Sequence, residues 1–122
     1  MQSINSDKLP VLGGPFVPAI KENGMIFTSG QLGLNTEGVM AEGVDGQSRQ
    51  VLENLKNLLE AGGSSLDKVV KTTCFLADIK DYAEFNAVYA EYFGDHKPAR
   101  SCFQVAALPL GALVEIECIA SC

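Results

Sequence analysis

The segment from residue 98 to residue 120 reads PARSCFQVAALPLGALVEIECIA, and its two apolar runs predict the last two strands of the fold. We place these strands at Ser101–Ala106 and Leu113–Ala120. Arg100 stands directly before the first of them, although an arginine side chain is rarely buried unless something pairs with it. That partner is either a carboxylate of the protein or a ligand, and the residues alone leave both open.

Upstream of this segment, the sequence predicts three more strands and two helices. The strands are predicted at Phe16–Ile20, Met25–Gln31 and Val69–Ile79, and the helices at 47–63 and Asp81–Phe93. Asn23-Gly24 is typical of a hairpin turn between the first two strands. The first helix carries an apolar face formed by Val51, Leu52, Leu55, Leu58 and Leu59. The order β-β-α-β-α-β-β predicts an α+β fold with both helices on one face of a sheet.

The strand predicted at Val69–Ile79 is apolar on both sides. One face receives Val69, Phe75 and Ala77, and the other receives Val70, Cys74 and Leu76. A strand that is apolar on both faces is normally covered on both, whereas two helices on one side cover only one. We therefore expect another subunit to cover the second face, which makes the protein a homo-oligomer.

The composition excludes several classes of function. The chain has 122 residues and a formal net charge of −6, which argues against binding a nucleic acid backbone. It has four cysteines without a C-x-x-C pair, no signal peptide and no apolar run of membrane-spanning length, so we expect reduced thiols in a cytosolic protein without membrane contact. The single histidine, His96, lies in a predicted loop and supports neither a zinc site nor a Ser–His–Asp triad.

Charged residues on the last two strands are candidates for chemistry. The planar guanidinium of Arg100 matches a carboxylate with two parallel N–H donors, and a structural ion pair is the alternative. Glu115 and Glu117 share one face of an apolar strand. Either one is exposed and the other is paired with Arg100 or a lysine, or one of them orients water in a site; the sequence does not choose.

Three further positions are polar or reactive in apolar surroundings. Asn86 lies within the aromatic stripe of the second helix, and we interpret it first as satisfying a loop backbone. Ser29-Gly30 ends a strand, where glycine lets a ligand approach the backbone. Cys102 follows a fixed positive charge that would lower its thiol pKa, but no base is near it in sequence, so we favour a buried or site-lining thiol over a nucleophile.

These residues together resemble the RidA/YjgF family of reactive imine and enamine deaminases. The similarity covers nearly the whole chain, in GGPF, MIFTSGQLGLN, VVKTTCFLADIKDYAEFNAVYAEYF and PARSCFQVAALPLGALVEIECIA. The last segment fits the family pattern P-A-R-S-x-x-x-V-x-x-L-P followed by a strand with two glutamates. The resemblance implies a single domain over residues 1–122 with a chorismate-mutase-like fold, assembled as a homotrimer with sites between subunits.

The resemblance also implies roles for individual residues. Arg100 would bind the substrate carboxylate, and Glu115 would orient the attacking water. The pocket would be lined by Cys102, Ser29, Gly30, Asn86 and Phe16. The implied reaction hydrolyses 2-imino acids of the 2-aminoacrylate type to 2-keto acids and ammonia, with no metal or organic cofactor.

Two departures from the family pattern concern the pocket. Phe16 stands where many active members carry a tyrosine whose hydroxyl points into the site, and the loop FGDHKPARS is short, with Lys97 where an aromatic residue often stands. The alternative is therefore a regulatory trimer that binds small carboxylates without turnover. RNA cleavage is disfavoured by the acidic charge and the lack of a His/Lys catalytic set, and a holdase would not depend on Arg100.

Overall fold

The computed structural model describes residues 1–122 and contains seven strands and two helices. The strands are β1 Gln2–Ile4, β2 Ala19–Glu22, β3 Met25–Thr28, β4 Gln31–Leu32, β5 Val69–Leu76, β6 Ala99–Gln104 and β7 Val114–Ser121. The helices are α1 Gly43–Ala61 and α2 Tyr82–Phe93, and short 3₁₀ turns occur at Leu66–Lys68, Ile79–Asp81 and Pro109–Gly111. All seven predicted elements are present, β1 is additional, and the strand predicted at Met25–Gln31 is divided into β3 and β4.

The strands form one mixed sheet with the order β1-β2-β3-β7-β5-β6, and β4 pairs separately with β7. Only the pair β5–β6 is parallel, because α2 carries the chain from one to the other; the remaining pairs are antiparallel. Both helices pack into one hydrophobic core with the buried side chains of β5 and β7. The predicted α+β fold, with two helices on one face of a mixed sheet, is confirmed.

The core lies between the leucine face of α1 and alternate residues of β7. All five apolar residues predicted for this helix face are completely buried. The strand contributes Val114, Ile116, Cys118 and Ala120, which are also buried. Each fully buried aliphatic side chain stabilises the fold by about 1.5–3 kcal/mol relative to exposure, so this interface accounts for much of the hydrophobic driving force.

Several element boundaries differ from the predictions. The first strand begins at Ala19 rather than Phe16, because Pro15 and Pro18 lack the N–H group that a sheet ladder needs. Helix α1 begins at Gly43, a turn before the predicted start at residue 47, with Asp45 placed favourably in its first turn. Strand β5, predicted at Val69–Ile79, ends at Leu76. It ends there because Asp78 starts a 3₁₀ turn by accepting a hydrogen bond from the Lys80 backbone N–H.

Two irregularities change which face a side chain occupies. The pairing of β5 with β7 shifts register between Val69 and Lys71, so Val69 is buried with Cys74 and Leu76, while Val70 is 45% exposed. The predicted division of this strand was therefore wrong for both valines, because a bulge reverses the alternation. The strand predicted at Met25–Gln31 is likewise interrupted at Ser29-Gly30, which divides it into β3 and β4.

The second face of the sheet carries no helix. Phe27 and Phe103 are each nearly half exposed there, and Phe103 packs edge-on against Phe75 with ring centroids 5.4 Å apart. Glu115 and Ile119 point to the same face, because they pair directly with Phe75 and Phe27. An apolar patch of this kind is unusual on an isolated domain, which favours a second copy of the chain covering it. That expectation remains a prediction.

Candidate active site

Arg100 is held by polar and aromatic side chains of α2. Its Nη1 donates to Asn86 Oδ1 at 2.7 Å, and its Nη2 donates to the Tyr82 hydroxyl at 2.9 Å. The guanidinium carbon lies 4.8 Å from the ring centroid of Tyr89 and 5.8 Å from that of Phe85. Two terminal nitrogens are thus fixed by hydrogen bonds, and the plane is supported by cation–π contacts.

No carboxylate of the chain forms an ion pair with Arg100. The five ion pairs in the structure involve the amino terminus, Arg49, Lys56 and Lys80. The alternative that Arg100 is a structural ion-pair residue is therefore wrong within this chain. A guanidinium carries five N–H donors, so three of them remain for an acceptor that the chain does not supply. A carboxylate ligand fits this requirement in charge and in geometry.

Asn86 and Cys102 both lie near this arginine. The amide oxygen of Asn86 accepts from Arg100 and does not satisfy a loop backbone, so our first interpretation of that residue was wrong. Cys102 is half-buried on the same face of β6. Burial raises the pKa of its thiol, and the charge of Arg100 offsets this only in part, contrary to the lowering expected from sequence. The thiol form is favoured, which supports a lining role over a nucleophilic one.

The aromatic support of Arg100 was not recognised from the sequence. Tyr82, Phe85 and Tyr89 follow a 3, 4 spacing that places them on one side of α2, and this spacing was the available signal. The Tyr89 hydroxyl bonds to the buried Thr72 hydroxyl at 2.8 Å. Burial raises the pKa of Tyr89 to about 12, so this ring stays neutral beneath the cation at physiological pH.

Ser29, Gly30 and Glu115 form a second group. A methyl group at Gly30 would collide with Glu115 Oε2, so the absence of a side chain at residue 30 makes room for this carboxylate. Ser29 fastens the preceding loop, since its hydroxyl donates to the Val17 carbonyl at 2.6 Å and its N–H to the Pro18 carbonyl at 2.8 Å. Gly30 also borders a cavity of about 670 Å³ together with the N-terminal loop.

Phe16 lies in this same loop and lines that cavity. Its ring is 54% exposed and rests against Gly14, so it offers an apolar surface and no hydrogen-bonding group. Phe16 therefore belongs with the group of Glu115 and not with that of Arg100.

Glu115 is half-buried and has no ion-pair partner. Neither it nor the exposed Glu117 pairs with Arg100 or a lysine, so that alternative is wrong. Burial raises the pKa of Glu115, and the negative charge of Glu117 raises it further. A carboxylate with a raised pKa is a better proton acceptor at neutral pH than an ordinary glutamate.

The two groups do not meet within one chain. Arg100, Asn86 and Cys102 lie on the helix-covered side of β6, whereas Glu115 points to the open side of β7. Strand β5 lies between β6 and β7, so these strands are roughly 10 Å apart as well as differing in face. A small ligand therefore cannot contact both groups of one chain.

No group of three or more His, Cys, Asp or Glu side chains is arranged to hold a metal ion, and all four cysteines are free. Neither helix is long and apolar enough to cross a membrane.

The fold is that of a small α+β protein with a mixed sheet, and Arg100 has no acidic partner within the chain. Residues 7–122 match the family described as Endoribonuclease L-PSP. The chain belongs to this family, which is also known as the RidA/YjgF family.

Relatives with assigned names are similar over almost the whole chain. Protein HMF1 of Saccharomyces cerevisiae is 50% identical over 94% of this chain and 90% of that protein. Reactive Intermediate Deaminase A of Arabidopsis thaliana, a chloroplast protein, is 48% identical over 97% of this chain and 64% of that protein. The 2-iminobutanoate/2-iminopropanoate deaminase of Salmonella typhimurium is 42% identical over 98% and 96%. A role as a reactive intermediate deaminase is thus supported at the level of the family.

Solved structures agree with the fold. RidA from an Antarctic Psychrobacter superposes with a TM-score of 0.97 at 41% identity, and each chain is covered completely. Escherichia coli TdcF with bound serine superposes with a TM-score of 0.96 at 37% identity, over 100% of this chain and 99% of that chain.

Proposed function

We propose that this protein hydrolyses reactive 2-imino and enamine acids of the 2-aminoacrylate type to 2-keto acids and ammonia. The observation that carries the proposal is Arg100, which is packed on aromatic rings, lacks any acidic partner and keeps three N–H donors for a ligand. The names of the Salmonella and Arabidopsis relatives support the same reaction class. TdcF, whose structure contains bound serine, is a neighbour in fold that binds a small molecule with a carboxylate.

The chemistry needs one carboxylate anchor and one base. Arg100 binds the substrate carboxylate and thereby presents the electrophilic C=N carbon to a water molecule. Glu115 accepts a proton from this water as its oxygen bonds to the carbon, and it passes that proton to the imine nitrogen, so that C=N becomes a carbinolamine with an amino group. The resulting carbinolamine expels ammonia and leaves the 2-keto acid. Such imines also hydrolyse unaided, so orientation and a general-base contribution of about 10²–10⁴-fold are sufficient.

The site is assembled between subunits in this proposal. One subunit supplies Arg100 with Asn86 and Cys102, and its neighbour supplies Glu115 with Ser29, Gly30 and Phe16. The support is the placement of the two groups on opposite faces, together with the open apolar face that carries Glu115. A homotrimer, which the family resemblance implies, would repeat this site three times around a cyclic axis.

The test uses 2-imino acids generated in place by an amino-acid oxidase, with semicarbazide as a trap for the surviving imine. The wild-type protein is expected to abolish the trapped signal. Arg100→Ala is expected to restore the trapped signal. We expect its kcat/KM to fall at least about tenfold, because the two charge-assisted hydrogen bonds from Arg100 to the substrate carboxylate are lost. Arg49→Ala is the matched control, since this other arginine is bound at the surface by Asp45 and Glu91. An unchanged signal with wild-type protein over several side chains would refute the deaminase proposal.

One observation favours a second candidate, a regulatory trimer that binds small carboxylates without turnover. Phe16 supplies no hydroxyl near Gly30, where many active family members have a tyrosine. Calorimetric binding of a 2-keto acid that depends on Arg100, combined with no effect on imine decay, would identify this alternative.

A further inference from the structure

A cavity beside Arg100 contains a second cation without an acidic partner. The cavity has a volume of about 270 Å³ and lies between the end of α2 and the loop that precedes β6. It is lined by Asn86, Tyr89, Ala90, Phe93, Gly94, His96, Lys97, Pro98 and Arg100. Lys97 forms no ion pair and no hydrogen bond with the chain. The lining contains no aspartate or glutamate.

The charge of this cavity is opposite to that of the whole molecule. The chain has 15 acidic and nine basic residues, yet two of the basic residues border this one small space. Acidic residues nearby in sequence do not neutralise it, since Asp95 is exposed and outside the lining, and Glu91 is bound by Arg49 at 2.6 Å. A cleft lined by one sign of charge attracts ligands of the other sign, here ligands with more than one negative group.

The uncharged lining residues of the cavity indicate which kind of ligand would fit beside the two cations. Tyr89, Phe93 and Pro98 supply apolar surface in the same lining as Arg100 and Lys97. His96 takes no ligand through Nε2, which donates to the Val69 carbonyl at 2.6 Å and holds the loop in place. The lining therefore suits a short aliphatic chain with an anionic group at each end.

We propose that this protein acts on 2-imino acids with a second carboxylate at the end of a short side chain, and that Lys97 binds this second carboxylate while Arg100 binds the first. The inference rests on the proposed deaminase function and extends it to a substrate class. Lys97 acts as a specificity-determining residue, because only a dicarboxylic imine has a second carboxylate that can bind its ammonium group.

The experiment compares imines of a dicarboxylic and a monocarboxylic amino acid, generated by oxidases from glutamate and from 2-aminobutanoate. Lys97→Gln is expected to lower kcat/KM for the dicarboxylic imine by about three- to tenfold and to leave the monocarboxylic value unchanged. Lys97→Glu is expected to lower the dicarboxylic value further by repulsion. Added salt is expected to reduce the wild-type preference but not that of Lys97→Gln. Lys56→Gln is the control, since it removes the same charge from α1 outside the cavity.

Two outcomes would overturn the inference: equal losses for both substrates in Lys97→Gln, or no loss for either. Turnover of the monocarboxylic imine tests the proposed function separately. If the wild-type protein turns over neither imine, calorimetry with 2-oxoglutarate and 2-oxobutanoate tests Lys97 by binding alone. A preference for 2-oxoglutarate that Lys97→Gln abolishes supports the inference, and equal affinities refute it.

Discussion

Gly30 and Glu115 are so close that the glycine controls where the carboxylate lies. In Gly30→Ala, the added methyl group displaces the end of the Glu115 side chain, which is flexible enough to move without unfolding the protein. We expect kcat to fall about tenfold or more, because a general base must be positioned accurately. Imine turnover and urea unfolding measured on the same variant separate activity from stability.

Gly13→Ala is the matched control, since a methyl group there meets no atom within 4 Å. Its activity should equal that of the wild type. Unchanged activity in Gly30→Ala as well would show that Glu115 does not work from its observed position.

Glu117 modifies the acidity of its neighbour two residues away. Its negative charge contributes to raising the pKa of Glu115, so Glu117→Gln should lower that pKa. A general base acts when deprotonated, and the rate therefore falls as pH decreases through its pKa. We expect the acidic limb of the pH profile of kcat/KM to move to lower pH in Glu117→Gln. A shift to higher pH, or none, would contradict the assignment of Glu115 as the base.

At the scale of single residues, the sequence predicted which residues are candidates for the site better than it predicted their side-chain contacts. Arg100 and Glu115 stood out because charged groups in apolar strands need a reason. The bond from Arg100 to Asn86 and the cation–π support by Tyr89 depend on how α2 lies across β6, and no local pattern encodes that distance. The pKa of Cys102 was predicted in the wrong direction because its burial was unknown.

At the scale of the elements, a buried amide joins α1 to the end of β4 and to the segment that follows it. Asn54 is fully buried, and its Nδ2 donates to the carbonyl oxygens of Leu32 at 3.1 Å and Leu34 at 2.9 Å. Asn54→Ala leaves both carbonyls without this donor, so we expect the free energy of unfolding to fall by about 1–3 kcal/mol. Urea denaturation measures this loss.

Gln50→Ala serves as the control because it removes only the bond from Gln50 to the Asn54 side chain. It should cost less than Asn54→Ala. Equal or greater loss in Gln50→Ala would show that the two backbone contacts do not stabilise the fold.

Elements with a strong periodic signal were predicted well, and those set by pairing were not. The apolar face of α1 and the Asn23-Gly24 turn, where both residues have positive φ, follow from local chemistry. Strands β1 and β4 are short and exist because β2 and β7 offer them partners. The bulge at Val69 is likewise a property of the pairing with β7 and not of the strand alone.

At the scale of the whole molecule, the fold separates the two halves of the proposed site. The helices cover the face that carries Arg100, and the open face carries Glu115 beside exposed Phe27 and Phe103. The expectation of a second subunit came from an apolar strand, and the open face gives it a concrete surface. Which copies meet there is a property of the assembly, so it stays a prediction.

The most direct test of a shared site is to mix two inactive chains. Arg100→Ala retains Glu115, and Glu115→Gln retains Arg100, so a mixed trimer contains an interface with both intact residues. Co-expression of the two variants with different tags, followed by purification through both tags and the imine assay, measures this complementation.

If the site is shared between subunits, each mixed trimer regains activity at one of its three interfaces, or about one third of wild-type activity, because purification through both tags removes the unmixed trimers. Activity no greater than the sum of the two variants alone would contradict a site built from Arg100 of one subunit and Glu115 of its neighbour.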